Sequence, residues 1–296
     1  MEFGALTPRT VVNPNEKQVR TDEFTVSLER ELMPNFSLRT TGIVSLVTNI
    51  NRRQNNLRPY SSYSIPITSV DPGPDGSVAT TADNGGLFTY YEYPFALNGA
   101  QFEEYMFVVD PRANQRFSSL ELAAVKRLAN RWQFTASYSA TKRHKPTGTG
   151  DLNPNADINQ VDNTWDWDSK ITGTYILPHD VNLGGTWHHT SGNQLARQVQ
   201  FRGGQTIRSI VLNAGPFGEY RSPNINLLTF RVEKNFLVMN GQKVGVQLNI
   251  YNAMNANTSV VLGANPSLTQ RSGPEFLRPR AVMPPRLFEL GVSYSF

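Results

Sequence analysis

Residues 151–162, DLNPNADINQVD, place side-chain oxygens at Asp151, Asn153, Asn155, Asp157 and Asn159, with Asp162 at the twelfth position. Alternating oxygens closed by a carboxylate at position twelve are the spacing of an EF-hand loop, which surrounds calcium with hard oxygen donors. Asp151, Asn153, Asn155, Asp157 and Asp162 are therefore the candidate metal ligands, and Ca2+ is the candidate ion. The stretch departs from that pattern at Ala156, where the motif uses Gly, and at Asp162, shorter than the usual Glu. The same residues also suit a run of Asx turns with no ion. A second stretch, DPGPDGSVATTAD, offers Asp71, Asp75, Gly76 and Asp83 for the same chemistry.

Other reactive residue types are present without a reactive pattern. His188 and His189 occupy adjacent strand positions, so they point to opposite faces and cannot share a metal. Asp166, Asp168 and Lys170 recur with period two and share a face. An acid pair could serve hydrolysis, but no nucleophile and base are spaced for it, and no catalytic residue is assigned. FRGGQT, residues 201–206, reads as a turn, since no Lys-Ser/Thr follows as a phosphate loop requires. The aromatic run Phe88, Tyr90, Tyr91 and Tyr93 could stack on a ligand ring or pack its own loop.

Composition narrows the classes. The 296 residues contain no Cys, which excludes disulfides and thiolate metal sites. The net charge is +4, and the basic residues occur only in short pairs such as Arg52-Arg53 and Lys142-Arg143, so no stripe for nucleic acid is present. Mean hydropathy is -0.40, and no stretch approaches the ~20 apolar residues of a membrane helix. A transmembrane β-barrel keeps its average hydropathy low, because lipid-facing and lumen-facing residues alternate.

That alternation organises the chain. FELGVSYSF puts Phe288, Leu290, Val292, Tyr294 and Phe296 on one face and Glu289, Gly291, Ser293 and Ser295 on the other. The same period predicts hairpins over about 22–50, 116–141, 165–190 and 227–252, and a last strand over 286–296. The expected turns are Met33-Pro34-Asn35, Ala129-Asn130, Leu177-Pro178-His179-Asp180 and the segment holding Asn240-Gly241. Between hairpins lie long polar stretches, roughly 51–115, 145–164, 192–222 and 255–284. The predicted fold is all-β: an antiparallel, up-and-down transmembrane barrel segment of about nine strands, with short periplasmic turns and long extracellular loops. Phe296, Trp132, Trp165 and Trp187 are expected at the membrane interfaces. A soluble or surface-attached β-rich glycan-binding protein is the alternative, since sandwiches and propellers also use alternating strands.

The stretches RVEKNFLVMNGQKVGVQLNIYNAMNANT and RSGPEFLRPRAVMPPRLFELGVSYSF, with TDEFTVSLEREL at 21–32, resemble the barrel of TonB-dependent receptors, of the type with an N-terminal carboxypeptidase-regulatory-like domain. The resemblance implies a barrel of about 22 strands around a plug, in the outer membrane of a Gram-negative bacterium. It also implies energised uptake of a scarce or bulky solute, with the TonB complex, membrane lipid and an unspecified small-molecule or glycan ligand as partners. Neither a plug domain, a TonB box nor a signal peptide is recognised in the chain. The expectation is therefore a partial barrel over 1–296, the last nine or so strands of a longer receptor.

Overall fold

The structure, a computed structural model, describes residues 9–82, 84–147, 150–238, 242–262 and 269–295. Among them, nine long strands form one antiparallel sheet in chain order. They are β1 (Arg20–Met33), β2 (Phe36–Thr48), β3 (Gln115–Ala129), β4 (Trp132–Pro146), β5 (Trp165–Leu177), β6 (Val181–Thr190), β7 (Ile225–Leu237), β8 (Lys243–Tyr251) and β9 (Leu287–Ser295). Each pairs with the next, so the sheet is an up-and-down β-barrel segment of the number of strands that alternation gave. β1 and β9 are its edges and do not pair with each other.

The register explains why the sheet has two unlike faces. Leu28 pairs with Thr40, Thr40 with Leu122, Leu122 with Tyr138 and Tyr138 with Ser169. Further along, Gly185 pairs with Phe230, Phe230 with Ile250 and Ile250 with Phe288. Side chains of directly paired residues lie on the same face, so the apolar sets of all nine strands merge into one surface. The opposite surface carries Ser27, Thr41, Glu121, Ser139, Asp168, His188, Arg231, Gln247 and Glu289. There, hydroxyls bond across strands: Ser27 to Thr41 at 3.1 Å, Ser119 to Thr141 at 2.6 Å and Thr172 to Thr186 at 3.2 Å.

The apolar surface is exposed. Leu28 is 70% accessible, Leu290 73% and Val292 70%. Aromatic rings border it at both ends. At the turn end Trp132 stacks on Phe134 (centroids 5.7 Å), Phe134 meets Phe36 at 5.9 Å, Tyr175 pairs with Trp132, and Tyr294 stands near the turn end of β9. At the other end stand Trp165, Trp167 and Trp187. The few lysines on this face lie near its borders: Lys126 over Trp132, Lys142 over Trp165 and Lys234 over Phe236. The Lys126 ammonium reaches back to the carbonyls of Arg127 and Ala129, keeping its charge at the rim while its stem covers apolar surface.

Connections differ between the two ends. β3 and β4 join through Asn130 and Arg131, both at positive φ (53° and 70°), the signature of a type I′ hairpin turn that matches strand twist. Asn35 (φ 66°) and His179 (φ 65°) serve the neighbouring turns. The turn expected at Asn240-Gly241 and the girdle position of Phe296 lie outside the described residues.

The buried core lies in the long connections. Tyr90, Val199, Phe201 and Leu212 form it, with Ile67, Phe88, Ile158, Ile207, Ile210 and Ala214 packed around them. Phe88 lies flat on Phe201, centroids 4.3 Å apart. The first connection contributes a hairpin, Ile65–Asp71 with Gly86–Glu92. The third contributes Gln194–Arg202 paired with Ser209–Asn213. The fourth adds Thr269–Arg271, parallel to residues 196–198. The second supplies Ile158 and a short 3-10 turn, Pro154–Asp157. Four connections thus fold into one cap over a single end of the sheet.

Phe201→Ala should cost about 3–5 kcal/mol, the usual penalty for emptying an aromatic core site. The loss should be confined to the cap. Hydrogen exchange should show deprotected amides in 195–212 with β3–β6 unchanged; uniform loss would contradict a separate cap core.

Candidate functional site

The candidate surface is the polar face of the sheet and the cap at its end. Its side chains come from strand alternation below and from loop-to-loop bonds above. On the polar face, Asp168 bonds the His188 Nε2 at 2.7 Å. Asp166 is engaged separately by Arg143, by the Gln194 side-chain amide and by Ser191 Oγ at 3.5 Å. Each acid therefore has its own partner, and the two do not face each other as an acid–base pair. Lys170 shares their face, as the period predicts. His189 lies on the apolar face beside Trp167, whose Nε1 donates to His189 Nε2 at 3.0 Å, while Nδ1 meets Asn226 Oδ1 at 2.6 Å. The adjacent histidines thus serve different faces. Arg231 bridges Glu233 and Gln247 across β7 and β8.

The 151–162 stretch is spread over the cap. Asp151 receives the Arg53 guanidinium through Nε (2.5 Å) and Nη2 (3.0 Å). Asp157 accepts a hydrogen bond from Arg52 at 2.6 Å and forms an ion pair with Arg112 at 3.0 Å. Asn153 caps the 3-10 turn by accepting the Ala156 N–H at 3.0 Å. Asn155, 1% exposed, bonds both backbone groups of Tyr91 at 2.7 Å, so its amide adds a strand-like rung to the first connection. Asp162 accepts the N–H and hydroxyl of Thr164. The five proposed ligands therefore have five different sets of partners. Among the described residues no three His, Cys, Asp or Glu side chains gather as a metal group. In the second stretch, Asp71 holds Arg197 and Asp75 accepts the Ser77 N–H at 2.8 Å. Asp83 lies outside the described residues.

The strongest electrostatic ties join the connections to one another. Arg197 and Asp71 form a two-pronged pair, 2.8 and 2.5 Å, with side chains only 6% and 5% exposed. Arg197 also donates to Ser272 Oγ at 3.0 Å, linking the first, third and fourth connections. Arg52 Nη1 bridges Asp110 and Asp157, and Arg112 contacts the same two carboxylates. Burial pushes the Asp110 pKa up, but bonds from Arg112 and Arg52 outweigh it and leave it lowered. FRGGQT is a carboxylate grip within the protein: the Gln205 and Ile207 N–H groups donate to Glu92 at 3.0 and 2.5 Å. Burial raises the Glu92 pKa, and the backbone donors of Ile207, Gln205 and Thr206 pull it back below its ordinary 4.5. The aromatic run packs its own loop: Phe88 and Tyr90 enter the core, while Tyr93 lies under Arg58 at 4.5 Å and edge-on to Tyr63 at 5.4 Å.

Sequence reasoning alone misses Arg52, Arg53, Glu92, Arg112 and Arg197 as cap organisers. The Arg52-Arg53 pair is their only local signal. Glu92 and Arg197 pair with residues far along the chain, and Arg112 joins neighbouring Asp110 to distant Asp157.

No protein-family model and no curated protein matches the sequence. Among solved structures, a copper transporter, OprC, is similar over 98% of this chain and 34% of its own, at 14% identity and a TM-score of 0.43. The chain thus spans about a third of the length of that structure.

Two outcomes follow from the buried charges. Asp71→Asn leaves Arg197 buried without a counter-charge, a change that typically costs about 3–5 kcal/mol; exchange at 69–73 and 269–273 should accelerate together. Glu92 carries a lowered native pKa, so its contribution is complete above 4.5 and is lost as pH falls below 4.5 through the native value. The Gln205 and Ile207 amides should therefore lose protection below pH 4.5, and Glu92→Gln should make that protection low and independent of pH.

Proposed function

We propose that the sheet is part of the wall of an outer-membrane β-barrel of the TonB-dependent receptor kind, serving uptake of a solute across a Gram-negative outer membrane. One observation carries the reading: the nine strands expose a continuous apolar face, while the buried core sits in the cap beyond the sheet. In water that face would be a large uncovered patch, far beyond what soluble monomers usually expose. In a bilayer it is the surface that lipid requires, and every backbone group between paired strands is satisfied.

The dimensions agree. The stretch from Trp165 to Tyr175 on β5 covers about 33 Å of strand. With the usual tilt of 35–45° it spans about 25 Å along the membrane normal, the height of an outer-membrane apolar band. The cap then lies outside the cell and the short turns face the periplasm. The polar face lines the lumen, and coupling to the TonB complex would run through a plug, as the sequence resemblance implies.

Carbonate washing of membranes from cells expressing the chain tests this. An integral wall stays in the pellet, whereas a surface-attached β-rich binder is released. Leu290→Arg, on the apolar face, should reduce the folded membrane fraction, at a cost of about 2–4 kcal/mol near mid-bilayer. Ser293→Arg, on the polar face, should leave that fraction unchanged. Equal effects of the two substitutions would refute the assignment of faces.

A further inference from the structure

The apolar face carries few ionised groups, and their placement is uneven. At the turn end, Lys126 and Lys234 donate to the backbone carbonyls of Arg127, Ala129 and His179. At the cap end, Arg116 on β3 stands directly opposite His144 on β4. One rung nearer mid-sheet, Ser118 faces Lys142, and Lys142 faces Trp165 on β5. Arg116, Lys142 and His144 therefore share one corner of the apolar face. Beside that corner, Arg221 lies 4.8 Å over the Trp167 ring and donates to the carbonyls of Gly192 and Trp165.

The carboxylates around this corner are engaged elsewhere. Asp22, an acid on the same face, lies two strands from Arg116 across Leu46 and is held by Arg20 at 2.8 Å. Asp162 lies in register with Lys145, and Asp166 is held by Arg143; both belong to the polar face. Among the described residues no ion pair reaches Arg116, Lys142 or His144. Lys142 has a ring contact instead, its Nζ 5.7 Å from the Trp165 centroid. Arg116 and His144 are exposed.

Depth gives these groups a partner. Arg116 and His144 stand two residues beyond the Lys142–Trp165 rung, about 5 Å further along the membrane normal at the usual tilt. Interfacial tryptophans sit at headgroup level, and long basic side chains reach outward from there. On the mid-sheet side, Leu120, Ala140 and Trp167 pair in register as an apolar row. The corner thus offers cationic donors at headgroup depth and hydrocarbon contact beneath them.

We propose that Arg116, Lys142 and His144 form a docking patch for the phosphate group of a lipid in the leaflet on the cap side. The guanidinium fork and the ammonium engage the phosphate oxygens, and the acyl chains lie on the row of Leu120, Ala140 and Trp167. The patch goes beyond solute uptake, and it rests on the apolar face lying in the bilayer.

The test uses the full chain reconstituted in phosphatidylcholine vesicles, with lipids brominated in the acyl chains as quenchers of tryptophan fluorescence. A Trp132→Phe background leaves Trp165, Trp167 and Trp187, all at the cap end, as reporters. Brominated phosphatidate should reach half-maximal quenching at about tenfold lower mole fraction than brominated phosphatidylcholine, as expected for phosphate near two basic side chains. Arg116→Gln with Lys142→Gln should bring that ratio close to one and leave quenching by phosphatidylcholine unchanged. Arg116→Lys, which keeps the charge, should retain most of the preference. Lys234→Gln, at the opposite border, should leave it intact. Equal quenching by the two lipids, a preference that survives the double substitution, or relief of quenching by excess inorganic phosphate would overturn the patch. A chain that resists carbonate washing yet shows no preference fails here alone, so the two readings fail separately.

Discussion

Register is the constraint on which the rest depends. Side chains alternate with period two, so a slip of one residue in any strand pair would send a whole row of Leu, Val and Phe to the opposite face. The pairings keep Phe24 opposite Val44, Trp132 opposite Tyr175 and Leu248 opposite Leu290. Only this choice gives nine strands one common apolar surface. The belts at its borders, the hydroxyl bonds on the reverse and the placement of Asp168 against His188 follow from it.

Sheet and cap handle burial in different ways. The sheet has no internal core of its own among its nine strands, and its apolar side chains are covered by whatever lies against that face. The cap has a conventional core, with Tyr90 fully buried and Phe88 stacked on Phe201. Long connections usually leave backbone groups to water. Here those groups pair between connections, as Ala196–Gln198 do with Thr269–Arg271. Side chains satisfy further backbone groups. Asn155 bonds Tyr91, and Asn159 and Asn213 exchange bonds at 3.0 and 3.1 Å.

The sheet was legible in the sequence because its cause is local. FELGVSYSF shows its two faces within nine letters, and the β3–β4 turn sits at Asn130, where positive φ is tolerated. The cap was not legible, because its causes are distant. Asp151 and Asp157 resemble ion ligands when read by spacing, but spacing does not show that Arg53 and Arg52 reach them from about a hundred residues away. Glu92 gives no local hint that the FRGGQT turn will close around its carboxylate. The Phe88–Tyr93 run left stacking on a ligand and packing of its own loop both open; Phe201, far along the chain, decides for packing.

The double grip of Arg197 sets an order of assembly. Its partners Asp71 and Ser272 stand 126 residues before it and 75 after it. Neighbouring strands can pair as soon as both hairpin arms are present, whereas the cap cannot close until residue 272 has joined. Contacts of such sequence separation form slowly, since loop closure must precede their reward. The sheet can therefore zip strand by strand, and the cap over its end locks last.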